Sequence, residues 1–210
     1  MKVYFVRHGQ SNPRDFLSYE EAGEVGLSSF GEKQVRALAK TLRKYTIEKI
    51  YVSPLRRARE TANIVSAGNI PVIVDERLKE WRISNSLTGR AYKEMRIRMQ
   101  KERNFSPDDG EAFNECAKRF ISFLEDILEE EDEPIVVVGH ALIFQSALVT
   151  LCKLEHIPAI DEGSLSLLEG NGGVWRIVFL NKRPWFYDRL WRGAKAKIQK
   201  IFRRSISYGS

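Results

Sequence analysis

Four β-branched residues in succession, Ile135-Val136-Val137-Val138, bounded by Pro134 and Gly139, constrain this chain more than any other segment. A strand made of them has no polar face to offer water, so it must be covered on both sides, as at the centre of a largely parallel sheet. The rest of the chain supplies what such a sheet needs. Val3-Tyr4-Phe5-Val6, Lys49-Ile50-Tyr51-Val52 and Val72-Ile73-Val74 read as further strands, and longer amphipathic stretches alternate with them. From residue 29 or 31 through 44, Val35, Leu38, Ala39 and Leu42 form one apolar stripe at helical spacing. Ser53-Pro54 predicts a hydroxyl cap with proline at the first helical position, opening a helix that runs to about residue 66. Residues 111 to about 131 read as a long helix with Phe113, Ala117, Phe120, Ile121, Phe123, Leu124 and Leu128 facing inward. One more helix follows the Val138 strand. Leu165-Ser166-Leu167-Leu168 and residues 175–180 then read as strands joined through Gly170-Asn171-Gly172-Gly173, a hairpin signal. The expected fold class is α/β: a three-layer sandwich, with a mostly parallel sheet between helices on both faces.

At 210 residues the chain is about one domain, long enough to bury a core without disulfide or metal staples. Cys116 and Cys152 stand apart, each in a predicted helix, and assemble neither a disulfide framework nor a zinc site. No apolar run reaches the ~18 to 20 residues of a membrane span. The opening MKVYFVRHG also lacks the apolar stretch and small-residue cleavage site of a secretory leader, so a cytoplasmic location is expected. The net charge of +6 is unevenly held. Residues 182–204 carry nine Lys or Arg against Asp188 alone, and the remainder of the chain is slightly acidic. The expectation is therefore a folded domain over residues 1–181 and a basic amphipathic extension over residues 182–210. In that extension Leu190, Trp191, Ala194, Ile198, Ile201 and Phe202 fall on one helical face ringed by cations. The pattern suits a helix lying on an anionic membrane surface, seated in a partner's groove, or docked on its own body. Nucleic acid is not an expected partner, since no recognition module accompanies the charge.

Ligands of open α/β sheets gather beyond the carboxyl ends of the strands, where loops and helix N-termini converge. In this chain those ends read Arg7-His8-Gly9, Ser53-Pro54-Leu55-Arg56-Arg57, the stretch from Asp75 to Glu80, and Gly139-His140. Two of the three histidines directly follow apolar strands. Such a set suits phosphoryl transfer, in which charge on peripheral oxygens calls for rigid donors, an in-line nucleophile and a proton source for the leaving oxygen. Arg7 and Arg57 supply forked, permanent cations. His8 is the nucleophile, provided its second ring nitrogen is tied by a hydrogen bond, and His140 is a further donor to the phosphate. Glu80 is the acid, a task for which burial or a neighbouring phosphate has to hold its proton in place. The scheme requires neither a metal nor a cofactor; its partner is a small phosphorylated substrate. His156, in a loop before Ile157-Pro158, and Arg56 and Arg59, on the solvated side of their helix, read as structural.

These segments also form a recognisable series. Val6-Arg7-His8-Gly9-Gln10-Ser11 resembles the Arg-His-Gly signature of the histidine phosphatase superfamily, the phosphoglycerate-mutase-like proteins. Residues 27–34, LSSFGEKQ, resemble that family's Leu-Thr-x-x-Gly-x-x-Gln, and residues 53–61, SPLRRARET, its Ser-Pro-x-x-Arg-Ala-x-x-Thr, an alignment that selects Arg57 over Arg56. Leu78-Lys79-Glu80, Asp109-Gly110-Glu111 and Val138-Gly139-His140 complete the series in the family's order, over residues 1 to about 181. The resemblance implies a phosphoglycerate-mutase-like fold, a phosphohistidine on His8, a phosphate held by Arg7, Arg57 and His140, and protonation of the leaving group by Glu80. Water completes the reaction in a phosphatase; a second hydroxyl accepts the phosphate in a mutase.

Three departures bear on that choice. The mutase branch carries Trp-Asn soon after Arg-His-Gly, where this chain has Pro13-Arg14, with Asn12 nearby but out of register. The Gly-rich Trp-Glu-Gly stretch beyond the acid is replaced by Trp81-Arg82-Ile83-Ser84-Asn85-Ser86, which is expected to give the substrate a different wall. Both favour metal-independent hydrolysis of a small phosphomonoester over phosphoglycerate mutase activity. A phosphate-sensing or scaffolding protein without catalysis is the further alternative. Ala141 stands where a glycine often follows the second histidine and still offers its backbone N–H. Asn12, Arg14 and Ala141 are thus candidate substrate contacts. Finally, residues 82–104 carry seven Lys or Arg against Glu94 and Glu102, either as a basic lid or as a solvated helix burying Tyr92, Met95 and Met99.

Overall fold

The computed structural model describes residues 1–12, 17–131, 133–171 and 173–186. Six strands make one sheet in the order β3-β2-β4-β1-β5-β6. They are β1 (Lys2–Arg7), β2 (Lys49–Val52), β3 (Val72–Val74), β4 (Ile135–Gly139), β5 (Leu165–Asn171) and β6 (Val174–Lys182). β3, β2, β4 and β1 run parallel; β5 turns back against β1, and β6 pairs with it as a hairpin. β4 lies between β2 and β1 and is buried at all five positions, as its run of aliphatics requires.

Alternation along the central strands divides the interior into two layers. Val3, Phe5, Tyr51, Ile135 and Val137 point to one face, where they meet α5 (Phe113–Glu130) and α6 (Ala141–Leu151). Tyr4, Val6, Ile50, Val52, Val136 and Val138 point to the other, against α2 (Ser29–Leu42) and α3 (Arg56–Ser66). The molecule is the α/β sandwich expected, its two cores separated by the thickness of the sheet. α1 (Tyr19–Gly23) and α4 (Gly89–Lys101) lie in the chain's longer connections, and α4 packs onto the core shared by α5 and α6. Among the described residues no helix is long and apolar enough to cross a membrane.

Several local expectations are corrected. α2 is capped by the Ser28 hydroxyl, which accepts from Gly31 N–H at 3.0 Å, and its buried face carries the expected Val35, Leu38, Ala39 and Leu42. It stops at Leu42, two residues early. α5 buries Cys116 and Ile127, whereas Ile121 and Leu128 are only partly covered, so its inward stripe is rotated from the expected one. α4 buries Met99 fully and Tyr92 and Met95 in part. Ser53 is not a helix cap. Its N–H still belongs to the sheet, donating to Val138 O at 3.0 Å, and α3 begins only at Arg56 after Leu55. Trp81, Ile83 and Ser84 are buried in the body and do not wall the cavity described below; Trp81 Nε1 donates to Glu111 O at 2.7 Å. Arg56 is exposed and paired with Glu60 one turn on, and Arg59 is exposed, as read. The expectations for Arg14 and for the extension beyond residue 186 lie outside the described residues.

Candidate active site

Because β1, β2 and β4 are parallel and in register, their carboxyl ends share one level of the sheet. Arg7 pairs with Gly139 and Val52 with Val138; His8 N–H then donates to Gly139 O at 3.0 Å. That ladder carries His8, Ser53 and His140 to one place although they are far apart in sequence. The imidazoles of His8 and His140 have ring centroids 5.1 Å apart.

The loop after β1 is shaped by two glycines. A Cβ on Gly31 would lie 2.0 Å from Gln10 O, and one on Gly9 would lie 2.6 Å from Gly31 O, so only glycines let α2 approach the loop after His8 this closely. Side chains then secure it. Gly9 N–H donates to Thr61 Oγ1 at 3.2 Å, and Gln10 N–H donates to Gln34 Oε1 at 2.8 Å. On the other side Gly163 N–H donates to His8 O at 2.9 Å.

His8 is 1% exposed. Its Nδ1 lies 2.7 Å from Gly9 O, a group that only accepts, so the ring proton sits on Nδ1 and Nε2 presents a lone pair. Arg57 Nε–H donates to that lone pair at 3.2 Å, which agrees with the same tautomer. Arg57, 2% exposed, also donates from Nη1 to Ala22 O at 2.7 Å. Arg7 donates from Nη1 to Ile160 O at 2.6 Å, and its Nη2 lies 3.6 Å from Glu162 Oε1. His140 is fully buried; its Nε2 is 2.7 Å from Ser53 Oγ.

Glu80 reaches the same end of the sheet after the 3-10 turn Glu76–Leu78. Its carboxylate lies at the N-terminus of α6, where Ile143 N–H donates to Oε1 at 3.1 Å and Leu142 N–H to Oε2 at 3.4 Å; Trp81 N–H donates to Oε1 at 2.9 Å. The unsatisfied amides and positive end of that helix account for the placement. The helix that follows the second histidine therefore orients the Glu80 carboxylate.

Above these groups lies a cavity of about 830 Å³. Arg7, Arg57, Glu80, Asn12 and Ala141 line it, while His8 and His140 are buried and do not reach its surface, His8 meeting the lining residue Arg57 through Nε2. Seven of the eight expected site residues are thus gathered at one place, and the eighth, Arg14, lies outside the described residues. α4 contributes Tyr92, Lys93 and Arg96 to the cavity wall, so part of the basic segment does face the site, while Arg90 and Arg98 pair outward with Glu94 and Glu102. Sequence reasoning missed Tyr19, Ser53 as partner of His140, and the Ile160 and Glu162 contacts of Arg7. Ser53 stood inside a recognised segment, but its resemblance to a helix cap concealed its use. Glu162 lies in a loop without periodicity and gave no signal.

The family model of the histidine phosphatase superfamily, branch 1, matches residues 3–183. Phosphoglycerate mutase-like protein 4 of Arabidopsis thaliana is 30% identical over 158 residues, 69% of this chain and 68% of that protein. Phosphoserine phosphatase 1 of Hydrogenobacter thermophilus is 27% identical over 164 residues, 74% of this chain and 78% of its own. In fold, a mycobacterial glucosyl-3-phosphoglycerate phosphatase is similar with a TM-score of 0.74 at 24% identity, covering 86% of this chain and 98% of that one.

Proposed function

The chain belongs to the histidine phosphatase superfamily, and on that premise we propose that it hydrolyses a small phosphomonoester through a phosphohistidine on His8. The observation that carries this reading is the tautomer lock: Nδ1–H held by Gly9 O leaves Nε2 as an oriented lone pair beside a guanidinium. Nε2 attacks phosphorus in line, and the ester oxygen leaves with the proton of Glu80. Water then attacks the phosphohistidine, giving its proton to the Glu80 carboxylate, and phosphate is released with His8 restored. Arg7, Arg57 and His140 hold the three peripheral oxygens as charge builds on them. For attack to occur, Arg57 Nε–H must leave the lone pair and take a phosphate oxygen, so binding itself unmasks the nucleophile. Asn12 and Ala141, on the cavity wall, meet the alcohol portion of the ester.

Hydrolysis is favoured over mutation by Pro13-Arg14 in place of the mutase Trp-Asn. The test is a panel of phosphomonoesters assayed with and without EDTA, comparing wild type, His8→Ala and Glu80→Gln. Phosphate release should be insensitive to the chelator and abolished in His8→Ala. Glu80→Gln should slow alkyl phosphates by about 10²-fold or more while leaving p-nitrophenyl phosphate, whose leaving group needs no proton, far less affected. Interconversion of phosphoglycerate isomers in place of phosphate release, or activity restored by a divalent metal, would overturn the proposal.

A further inference from the structure

The acid segment is gripped along its backbone by side chains from elsewhere. Arg119, on α5, donates from Nη1 to Arg77 O at 2.6 Å and to Lys79 O at 3.0 Å. Burial works against the Arg119 charge, but hydrogen bonding to Glu111 outweighs it and keeps the guanidinium cationic. The next carbonyl, that of Glu80 itself, accepts from Tyr19 OH at 2.6 Å. Tyr19 comes from sequence 61 residues away and lines the catalytic cavity.

Tyr19 sits on α1, a single helical turn closed by a capping box in which Ser18 N–H donates to Glu21 Oε2 at 2.9 Å and Glu21 N–H donates to Ser18 Oγ at 3.3 Å. Three residues on, Ala22 O on that same turn accepts from Arg57 Nη1. One rigid turn therefore holds the proton donor's backbone at one end and a phosphate-binding guanidinium at the other. The phenol is suited to this, since burial foremost and then the nearby Glu80 charge push its ionisation well above the ordinary range for tyrosine, and it remains a donor.

Taking the reaction proposed above as given, we propose that Tyr19 is a positioning residue for proton transfer: its hydroxyl fixes where the Glu80 carboxyl meets the leaving oxygen, relative to the phosphate that Arg57 holds. General-acid catalysis depends on placement to within a fraction of an ångström, whereas phosphate binding and the attack of His8 do not pass through this contact.

The test is Tyr19→Phe, which keeps the ring and removes only the hydroxyl. Steady-state kinetics are measured on an alkyl phosphate and on p-nitrophenyl phosphate, with inhibition by inorganic phosphate alongside and Glu80→Gln as benchmark. The variant should lose about tenfold in kcat on the alkyl ester, and less than about twofold on the aryl ester, with phosphate inhibition unchanged. Equal losses on both esters, or none on the alkyl one, would overturn the positioning role and leave the proposed reaction standing. A wild-type protein that releases no phosphate, or a His8→Ala variant that still does, would overturn both.

Discussion

Replacing Ser53 with alanine tests whether the sheet register governs the second histidine. Both partners are fully buried, and the Oγ to Nε2 separation is 2.7 Å. Alanine keeps the Cβ and the backbone N–H bond to Val138 O, so the change deletes one hydroxyl, removing the contact of one buried imidazole nitrogen and the acceptor of Leu55 N–H at 3.3 Å. A buried group left without its partner costs about 1–3 kcal/mol. Taking about 2 kcal/mol, a domain of this size should melt about 4–8 °C lower. The catalytic effect has a separate origin. The hydroxyl holds His140 Nε2 at one position whichever of the two donates, and without that contact the ring is less firmly oriented, so inhibition by inorganic phosphate should weaken about tenfold, equivalent to about 1.4 kcal/mol. Urea unfolding and phosphate inhibition, measured for Ser53→Ala, His140→Ala and the double variant, complete the cycle. The two substitutions should be clearly non-additive, with a coupling of about 1 kcal/mol or more. Additivity within about 0.3–0.5 kcal/mol in both measurements would refute the reasoning.

Two further substitutions probe the frame around the site. Gly31→Ala forces a methyl into the backbone of Gln10, with 2.0 Å to its carbonyl oxygen, so α2 must back away from the loop after His8; denaturant titration should show a loss of about 1–3 kcal/mol, accompanied by a fall in phosphate release. Asp75 caps the turn leading to Glu80 and is paired with Arg77 at 2.8 Å. Burial raises its pKa, but the hydrogen bonds from Arg77 outweigh this and the net shift is downward. A carboxyl with a depressed folded pKa contributes stability above its unfolded value of about 4 and loses it as pH falls through the folded value. Asp75→Asn should therefore be less stable than wild type by about 1 kcal/mol at pH 7, and in urea titrations the difference should close as pH falls through the depressed folded value of Asp75.

How far the site could be read depended on what each residue is for. Arg7, His8 and His140 follow apolar strands, and hydrophobic patterning locates strand ends well. Glu80 and Arg57 were reached through ordered segments, because a carboxylate near two arginines in sequence looks like any surface ion pair. Tyr19 was out of reach. Its contact joins residues 61 positions apart, and a tyrosine in the stretch Ser18-Tyr19-Glu20-Glu21 has no periodicity that marks it. Ser53 shows the opposite failure: a serine before a proline carries a strong local preference for capping, and the sheet overrode it by keeping its N–H in the ladder and turning its hydroxyl toward His140. The rotated stripe of α5 has a similar cause, since which of several apolar residues face inward is decided by the neighbouring helix and the sheet.

Composition and spacing alone determined the layered α/β architecture, the buried central strand and the placing of Arg7, His8 and His140 at strand ends, because burying β-branched runs leaves few arrangements and parallel strands deliver their ends to one edge. Tertiary structure alone decided which imidazole nitrogen of His8 is free, that α6 holds the Glu80 carboxylate with its amides, and that one short helical turn ties Arg57 to the acid's backbone. Those are matters of hydrogen-bond direction over distances of about 3 Å between segments remote in the chain, and they exist only once the strands have paired in register.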